Sequence, residues 1–174
     1  MNRSISLCIL ILAGSMFSVC AMADDAVLNF GPEEIIKAKG QEIVVPGFSV
    51  PSFVDWNNDH LQDLVVGEGG ALTATTPAKV RVYLNRGTES DPCFTDCFYV
   101  QSNGQDLTLT PQGCMGCFPR VVDWNGDGKK DLLVGQFGGG KLRVYLNKGT
   151  DAEPKFDDFT YLQIDGTDAT VPPS

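Results

Sequence analysis

The sequence has few basic residues: 13 Lys and Arg stand against 22 Asp and Glu, so the 174-residue chain carries a formal net charge of −9. A chain this acidic repels phosphate backbones and anionic lipids, which excludes nucleic acid and charged membrane surfaces as expected partners. The content of 20% charged and 43% hydrophobic residues also excludes a disordered chain and a collagen. Cations are the natural counterpart of this charge.

The sequence has one histidine, His60, and it lacks a long segment with a helical hydrophobic period. Catalysis by a Ser-His-Asp or Cys-His group would have to use His60, which has no recurring partner beside it. We therefore predict that the protein is not an enzyme. The glycine-rich segment 135–141 is similar to a phosphate loop, but Leu142 and a strand follow it instead of a helix, so we predict no nucleotide binding.

Residues 1–23 have the pattern of a secretory signal peptide. Arg3 precedes an apolar stretch, and the small residues Ala21 and Ala23 come directly before the acidic Asp24, which predicts cleavage after Ala23. The alternative is a retained membrane anchor, because residues 5–23 are uncharged and nearly long enough to span a bilayer. Cleavage predicts a protein that is secreted, periplasmic or displayed on the cell surface.

The rest of the chain contains an internal repeat. Residues 51–67 (PSFVDWNNDHLQDLVVG) match residues 119–135 (PRVVDWNGDGKKDLLVG) at an offset of 68 positions, and residues 80–88 match residues 142–150 at an offset of 62. The first copy therefore has six extra residues, which belong in a loop near Ala71–Pro77. Repeats of this kind predict stacked copies of one supersecondary unit.

A third element occurs three times, each time with a turn dipeptide between short apolar segments: Lys39-Gly40, Asn103-Gly104 and Asp165-Gly166. Such dipeptides are typical of tight β-hairpins. The short β-branched and aromatic segments of each repeat predict a four-stranded antiparallel sheet, the size of one propeller blade. We expect an all-β fold with a leading hairpin (24–50), a first blade with a cysteine-rich hairpin (51–118) and a second blade (119–174).

Each repeat has an acidic loop with the pattern Asp-x-Asn-x-Asp-x-x-x-Asp between its first two strands. Alternate oxygens of such a loop can turn inward, and calcium prefers a flexible cage of hard oxygen ligands. The alternative is a turn capped by its own Asp and Asn side chains, without a metal. We expect one calcium ion in each loop, with these ligands, where Leu61 and Lys129 contribute backbone carbonyls: Asp55, Asn57, Asp59, Leu61 and Asp63; Asp123, Asn125, Asp127, Lys129 and Asp131.

The loops differ from an EF-hand and from each other. An EF-hand needs a glutamate at its twelfth position, where these loops have Val66 and Val134 in a strand. At the sixth position, Gly128 suits a left-handed backbone, whereas His60 adopts that conformation only at a cost. The second loop therefore matches a calcium loop more closely than the first.

Four cysteines cluster around one hairpin: Cys93, Cys97, Cys114 and Cys117. Export to an oxidising compartment favours two disulfides, and nested bridges Cys97–Cys114 and Cys93–Cys117 are geometrically reasonable. A four-cysteine zinc site is the alternative, and the pairing is not fixed by sequence. We also expect Trp56 and Trp124, at the second position of each acidic loop, to be buried between blades, with stacking on sugars as the alternative.

The two acidic loops, the following Leu-Val-Gly strands and the RVYLN segments with their Gly-Thr turns resemble FG-GAP or VCBS repeats, the blades of integrin-α-type β-propellers. The resemblance covers most of residues 30–170. It implies calcium binding at the loop Asp and Asn residues and a secreted, surface or adhesion role. The chain departs from the family in number, because propellers close with about four to eight blades and two leave an incomplete propeller.

The resemblance implies an exported, non-catalytic calcium-binding module that binds a protein or glycan ligand, with about two calcium ions. One alternative is a structural unit that completes a propeller by forming a homo-oligomer, because two blades leave edges and faces uncovered. Another is a piece of a longer repeat protein.

Overall fold

The computed structural model describes residues 31–69, 77–109 and 116–171. The expected signal peptide, most of the expected insertion near Ala71–Pro77, and Cys114 lie outside these ranges. The described part is all-β, with short strands and a single 3₁₀ turn at Gly138–Gly140. It contains no helix long and apolar enough to cross a membrane. All of its strands belong to the compact unit Ile35–Ser174.

The first repeat forms an antiparallel meander in the order β6-β5-β4-β3. Its second strand is buried at all six positions, as expected for the continuous apolar segment Leu64–Val66. Two short strands of the leading hairpin extend this sheet beyond β6, and β9 pairs with β5. The strands are β1 (Lys37–Ala38), β2 (Gln41–Glu42), β3 (Val50–Val54), β4 (Asp63–Glu68), β5 (Ala78–Asn85), β6 (Phe94–Tyr99) and β9 (Thr108–Leu109).

The second repeat forms the same meander, β10-β11-β12-β13. Each repeat thus contains the expected four-stranded antiparallel meander, but the first meander belongs to a seven-stranded sheet in which β1 pairs with β6 in parallel. The two meanders begin at Val50 and Cys117. Two hairpins, β7-β8 and β14-β15, follow the two sheets. The strands are β7 (Gln101–Ser102), β8 (Gln105–Asp106), β10 (Cys117–Val122), β11 (Asp131–Gln136), β12 (Leu142–Tyr145), β13 (Thr160–Tyr161), β14 (Gln163–Ile164) and β15 (Thr167–Asp168).

The three expected hairpin turns are present. Both central residues of each turn have positive φ: 52° and 74° at Lys39-Gly40, 52° and 71° at Asn103-Gly104, and 50° and 77° at Asp165-Gly166. Positive φ at both positions is the requirement of a type I′ turn, which matches the twist of the flanking strands. The first hairpin accepts a lysine in a left-handed conformation that asparagine and aspartate adopt more readily.

The main hydrophobic core joins the two sheets. Val65, Val80 and Val82 of the first sheet share one buried cluster with Leu132 and Val134 of the second. A smaller cluster covers the other face of the first sheet, where three residues of the leading segment pack over it: Ala38, Ile43 and Val45 on Leu64, Val66, Tyr83 and Phe94.

The two tryptophans differ in burial. Trp56 is 5% exposed and contacts the rings of Phe98 and Phe156, with centroids 6.3 Å and 6.2 Å away. Its packing between the two repeats is as expected. Trp124 is 46% exposed, so the expectation that it is buried between blades is wrong for the described residues.

The position of Cys117 does not match the expected Cys93–Cys117 bridge. Cys93 and Cys97 are exposed and form no disulfide with a described residue, while the Cys117 sulfur lies 2.9 Å from the carbonyl oxygen of Lys79. Phe94 pairs with Asn85, so Cys93 is about 20 Å along β5 from Lys79, whereas bridged Cα atoms lie within about 7 Å. Cys93 and Cys117 are therefore too far apart to form a disulfide or to bind one zinc ion together in this fold. The expected Cys97–Cys114 bridge stays a prediction, because Cys114 lies outside the described residues.

A buried asparagine closes the turn after the third strand of each sheet. The Asn85 side-chain oxygen accepts the backbone N–H groups of Gly87 (2.9 Å) and Cys93 (3.0 Å), and its amide donates to the Thr88 carbonyl. Asn147 makes the same three bonds in the second repeat, to Gly149, Lys155 and Thr150. These side chains satisfy backbone groups that the strands leave unpaired.

Replacing Asn147 by Ala tests this role. The change leaves two backbone N–H groups without their acceptor, so we expect the free energy of unfolding in urea to fall by about 1–3 kcal/mol. The control is Lys148→Ala, an exposed neighbour whose loss should change stability by less than about 0.5 kcal/mol. Equal effects of the two substitutions would contradict the assigned role.

Candidate metal centre

The two acidic loops share one backbone conformation. Asn58 and His60 have φ of 62° and 68° in the first loop, and Gly126 and Gly128 have φ of 75° and 83° at the equivalent positions of the second. The left-handed conformation expected at the sixth position is therefore present in both loops. The first loop achieves it with two residues that have side chains and hence carries more backbone strain.

The leading carboxylate of each loop organises the turn. Asp55 accepts the backbone N–H groups of Asp59 (3.1 Å) and His60 (3.0 Å), and Asp123 accepts those of Asp127 (3.2 Å) and Gly128 (2.9 Å). These bonds hold each loop in a tight curve. Both turns are therefore capped by their own Asp side chains, which is the alternative to metal binding given above.

The last carboxylate of each loop is fully buried. The two oxygens of Asp63 accept the backbone N–H groups of Trp56 (2.8 Å) and Asn85 (2.7 Å), and those of Asp131 accept Trp124 (3.0 Å) and Asn147 (2.7 Å). Each carboxylate thus ties the start of its acidic loop to the end of the third strand. Sequence reasoning assigned these residues as ligands only and missed this structural bond, although the repeated Asp and Asn positions were a signal for it.

The carboxylates of the first loop converge. Oxygen atoms of Asp55, Asp59 and Asp63 all lie within 4.8 Å of one another, and no other group of three acidic, histidine or cysteine side chains does so in the described ranges. At this distance, each pair of negative charges repels by roughly 3 kcal/mol at an effective dielectric constant of about 20. The structure therefore brings together the expected ligands of the first loop but leaves Asp123, Asp127 and Asp131 farther apart.

The pKa values reflect these surroundings. Burial raises the pKa of Asp63, and the charges of Asp59 and Asp55 raise it further, against the lowering effect of its two backbone hydrogen bonds. In the second loop, the side-chain hydrogen bond from Asn125 lowers the pKa of Asp127, with a smaller contribution from the Lys129 N–H group. A cation beside Asp63 would favour its charged form, which the other two carboxylates disfavour.

Two basic side chains approach the first loop. The Lys130 ammonium, from the second repeat, donates to the Asp55 carbonyl at 2.5 Å and lies 3.7 Å from its carboxylate. The His60 ring lies 3.8 Å from the same carboxylate, but it is 88% exposed. Lys130 therefore partly offsets the charge of the first loop and connects it to the second repeat.

The expected donors of the first loop are of the type that calcium prefers. Three carboxylates, the amide oxygen of Asn57 and the carbonyl of Leu61 are all hard oxygen donors, the type that calcium prefers in groups of six to eight. Nitrogen or sulfur donors, which zinc prefers, are absent from this set apart from the exposed His60. The remaining coordination positions would be taken by water.

A cavity of about 730 Å³ lies beside this loop. Trp56, Phe98 and Phe156 give it an aromatic wall, and Asn57 and Gln101 add amide groups. The Ala152–Asp157 segment of the second repeat forms another part of the lining. Lys155 and Asp157 add one charge of each sign to this lining.

A polar cluster on the first sheet was not expected from sequence. The buried Glu68 accepts hydrogen bonds from Arg81 (3.0 Å) and from the Tyr99 hydroxyl (2.8 Å). Burial and the bond to Glu68 raise the pKa of Tyr99. In the second repeat, Arg143 donates to Gln136 (2.8 Å), so an amide replaces the carboxylate. The cluster pairs opposite charges on the first sheet.

Neither a scan against protein-family models nor a search of curated proteins or of solved structures finds a match to this chain.

Replacing His60 by Gly tests the strain in the first loop. Glycine adopts a φ of 68° without a side-chain clash, so we expect the free energy of unfolding to rise by about 0.5–1 kcal/mol. The matched control is Gln62→Gly, an exposed loop neighbour without positive φ, which should lower it by a similar amount. Chemical denaturation measures the free energy of unfolding of both variants. A lower value for His60→Gly than for the unchanged protein would contradict the strain assigned to His60.

Proposed function

We propose that this chain is an exported, non-catalytic calcium-binding module of the FG-GAP/VCBS kind, with its two sheets as neighbouring propeller-type blades. Three features support the proposal: the repeated loop spacing, the repeated four-stranded meander, and the packing of one sheet on the other. The signal-peptide pattern of residues 1–23 supports export.

The observation that carries the proposal is the convergence of Asp55, Asp59 and Asp63 in the first loop. Three carboxylates at this separation destabilise the loop unless a cation compensates them, and Lys130 contacts only one of the three. A calcium ion would satisfy all three at once. The second loop has the same ligand types, and calcium binding there requires its carboxylates to move together.

Calcium would stabilise the fold and would also affect the shape of the cavity. Asp63 is a ligand of the proposed ion and is also bonded to the backbone of Asn85, so the metal would fix the loop to the end of β5. A ligand that binds only the folded state adds about 2.7 kcal/mol at 100 times its dissociation constant. Because Asn57 belongs to the loop and lines the cavity, the ion would also set the shape of that cavity.

We assign the cavity to a protein or glycan ligand whose binding depends on calcium. Its aromatic wall and amide groups suit the apolar and hydroxyl-bearing surfaces that both ligand types present. The proposal includes no catalytic role.

Calcium titration calorimetry and thermal unfolding test the proposal. We expect calcium to raise the melting temperature and EGTA to lower it, because the ion relieves the repulsion within the loop. Asp59→Asn should weaken binding at least tenfold, since it removes one of three converging charges. Asp157→Asn, which removes an exposed charge outside the loop, should leave binding unchanged.

Two results would contradict the proposal. Absence of a calcium effect on the melting temperature would show that no metal stabilises the fold. Loss of binding in Asp127→Asn, combined with normal binding in Asp59→Asn, would assign the metal to the second loop and overturn the role given to the first.

A further inference from the structure

Lys130 connects the two acidic loops. Its backbone belongs to the second loop, where it precedes Asp131, and its N–H group donates to the Asp151 carboxylate at 2.7 Å. Its side chain extends to the first loop, where the ammonium donates to the Asp55 carbonyl at 2.5 Å and lies 3.7 Å from the Asp55 carboxylate. The two side chains are only 25% and 17% exposed, so water and salt screen this contact less than an ion pair on the open surface.

The internal repeat shows that this lysine is not part of the general loop pattern. The residue equivalent to Lys130 in the first loop is Gln62, which is neutral and exposed. The sequence before Asp55 contains no loop of this pattern, so a lysine in place of Gln62 would have no preceding acidic loop to contact. The lysine thus stands in the copy whose side chain at this position reaches another acidic loop.

The first loop and Lys130 together have the charge of a site for one divalent ion. Asp55, Asp59 and Asp63 have carboxylate oxygens within 4.8 Å of one another and carry three negative charges when all are ionised. The Lys130 ammonium adds one positive charge, which leaves two negative charges. The His60 ring is 88% exposed, so solvent weakens its influence on the loop.

We propose that Lys130 is a resident cation of the first loop and determines which metal ions bind there. In the metal-free protein, its ammonium compensates part of the repulsion among the three carboxylates. Toward a bound metal ion, the same ammonium is repulsive, and the repulsion is proportional to the charge of the ion. Lys130 therefore lowers the affinity for all metal ions and disfavours a trivalent ion more than calcium. This role rests on the proposed function, because it concerns a metal ion in the first loop.

Lys130→Met tests this role, because methionine removes the charge and keeps most of the side-chain length. Calorimetric titrations with calcium and with the trivalent ion terbium measure the two affinities, and the first-loop site is the one that Asp59→Asn weakens. We expect the calcium affinity to rise about tenfold and the terbium affinity about 30-fold, since the repulsion scales with the ionic charge. Damage to the loop structure would instead lower both affinities.

Two further variants separate charge from packing. Lys130→Arg keeps the positive charge, so the ratio of terbium to calcium affinity should stay within about a factor of two of that of the unchanged protein. Lys148→Met removes the same charge from an exposed residue whose charge acts on Asp127 of the second loop. Both affinities of the first loop should therefore stay unchanged in Lys148→Met.

Thermal unfolding in EGTA tests the resident cation without a metal ion. Lys130→Met should lower the melting temperature by about 2–4 °C at low salt, because the three carboxylates lose their compensating charge. This difference should shrink at about 1 M salt, where charges are screened beyond about 3 Å. Lys148→Met, with the same net charge, should show no salt-dependent loss of this size.

Three results would overturn this role. The first is a calcium affinity that Lys130→Met leaves unchanged or lowers, while the unchanged protein binds calcium, and this result would leave the proposed function intact. The second is an unchanged ratio of terbium to calcium affinity in Lys130→Met. The third is equal melting temperatures of Lys130→Met and the unchanged protein in EGTA.

Two outcomes separate this role from the proposed function. If neither protein binds either ion, the proposed function and the role of Lys130 toward the metal fail together. If only Lys130→Met binds calcium, the role of Lys130 is supported and calcium binding by the unchanged protein is contradicted.

Discussion

The fold depends on one buried carboxylate in each repeat. Asp63 and Asp131 are wholly removed from solvent, and each uses both oxygens to hold two backbone N–H groups that are far apart in sequence. A buried charge costs several kcal/mol unless it is well hydrogen-bonded. The four bonds provide this and fix the acidic loop relative to the third strand. The asparagine at the end of that strand then closes the next turn, so one carboxylate positions three segments of its repeat.

Sequence reasoning was reliable where the information is local or repeated. The four-stranded sheets, the three turn dipeptides and the left-handed sixth position follow from residues a few positions apart, and the internal repeat doubles each signal. Sequence reasoning failed where the residues in contact are far apart in the sequence. The burial of Trp56 depends on Phe156, which is more than one repeat away, and Trp124 has no such aromatic neighbour among the residues that the structure describes. The pairing of Glu68 with Arg81 and the separation of Cys93 from Cys117 depend on strand register, which composition does not reveal.

The two acidic loops have similar sequences, but their carboxylates are arranged differently. The second loop has the better turn residues, with glycine at both left-handed positions, yet the converging carboxylates lie in the first. The difference arises outside the loops. In the first loop, Lys130 of the second repeat lies against the leading aspartate, and an aromatic residue of that repeat lies against the tryptophan. The described residues make no equivalent contact with the second loop. Local sequence supplies the donors, and the adjacent repeat determines how they are arranged.

The leading segment, which has about a dozen mostly exposed residues, covers one side of the first sheet. A stack in which every sheet covers the one before it always leaves its last sheet exposed, whatever the number of sheets. Adding repeats by duplication would move that surface along the chain without removing it. Stack length is therefore free to vary, whereas the cover that the leading segment supplies is needed only once, at the first sheet.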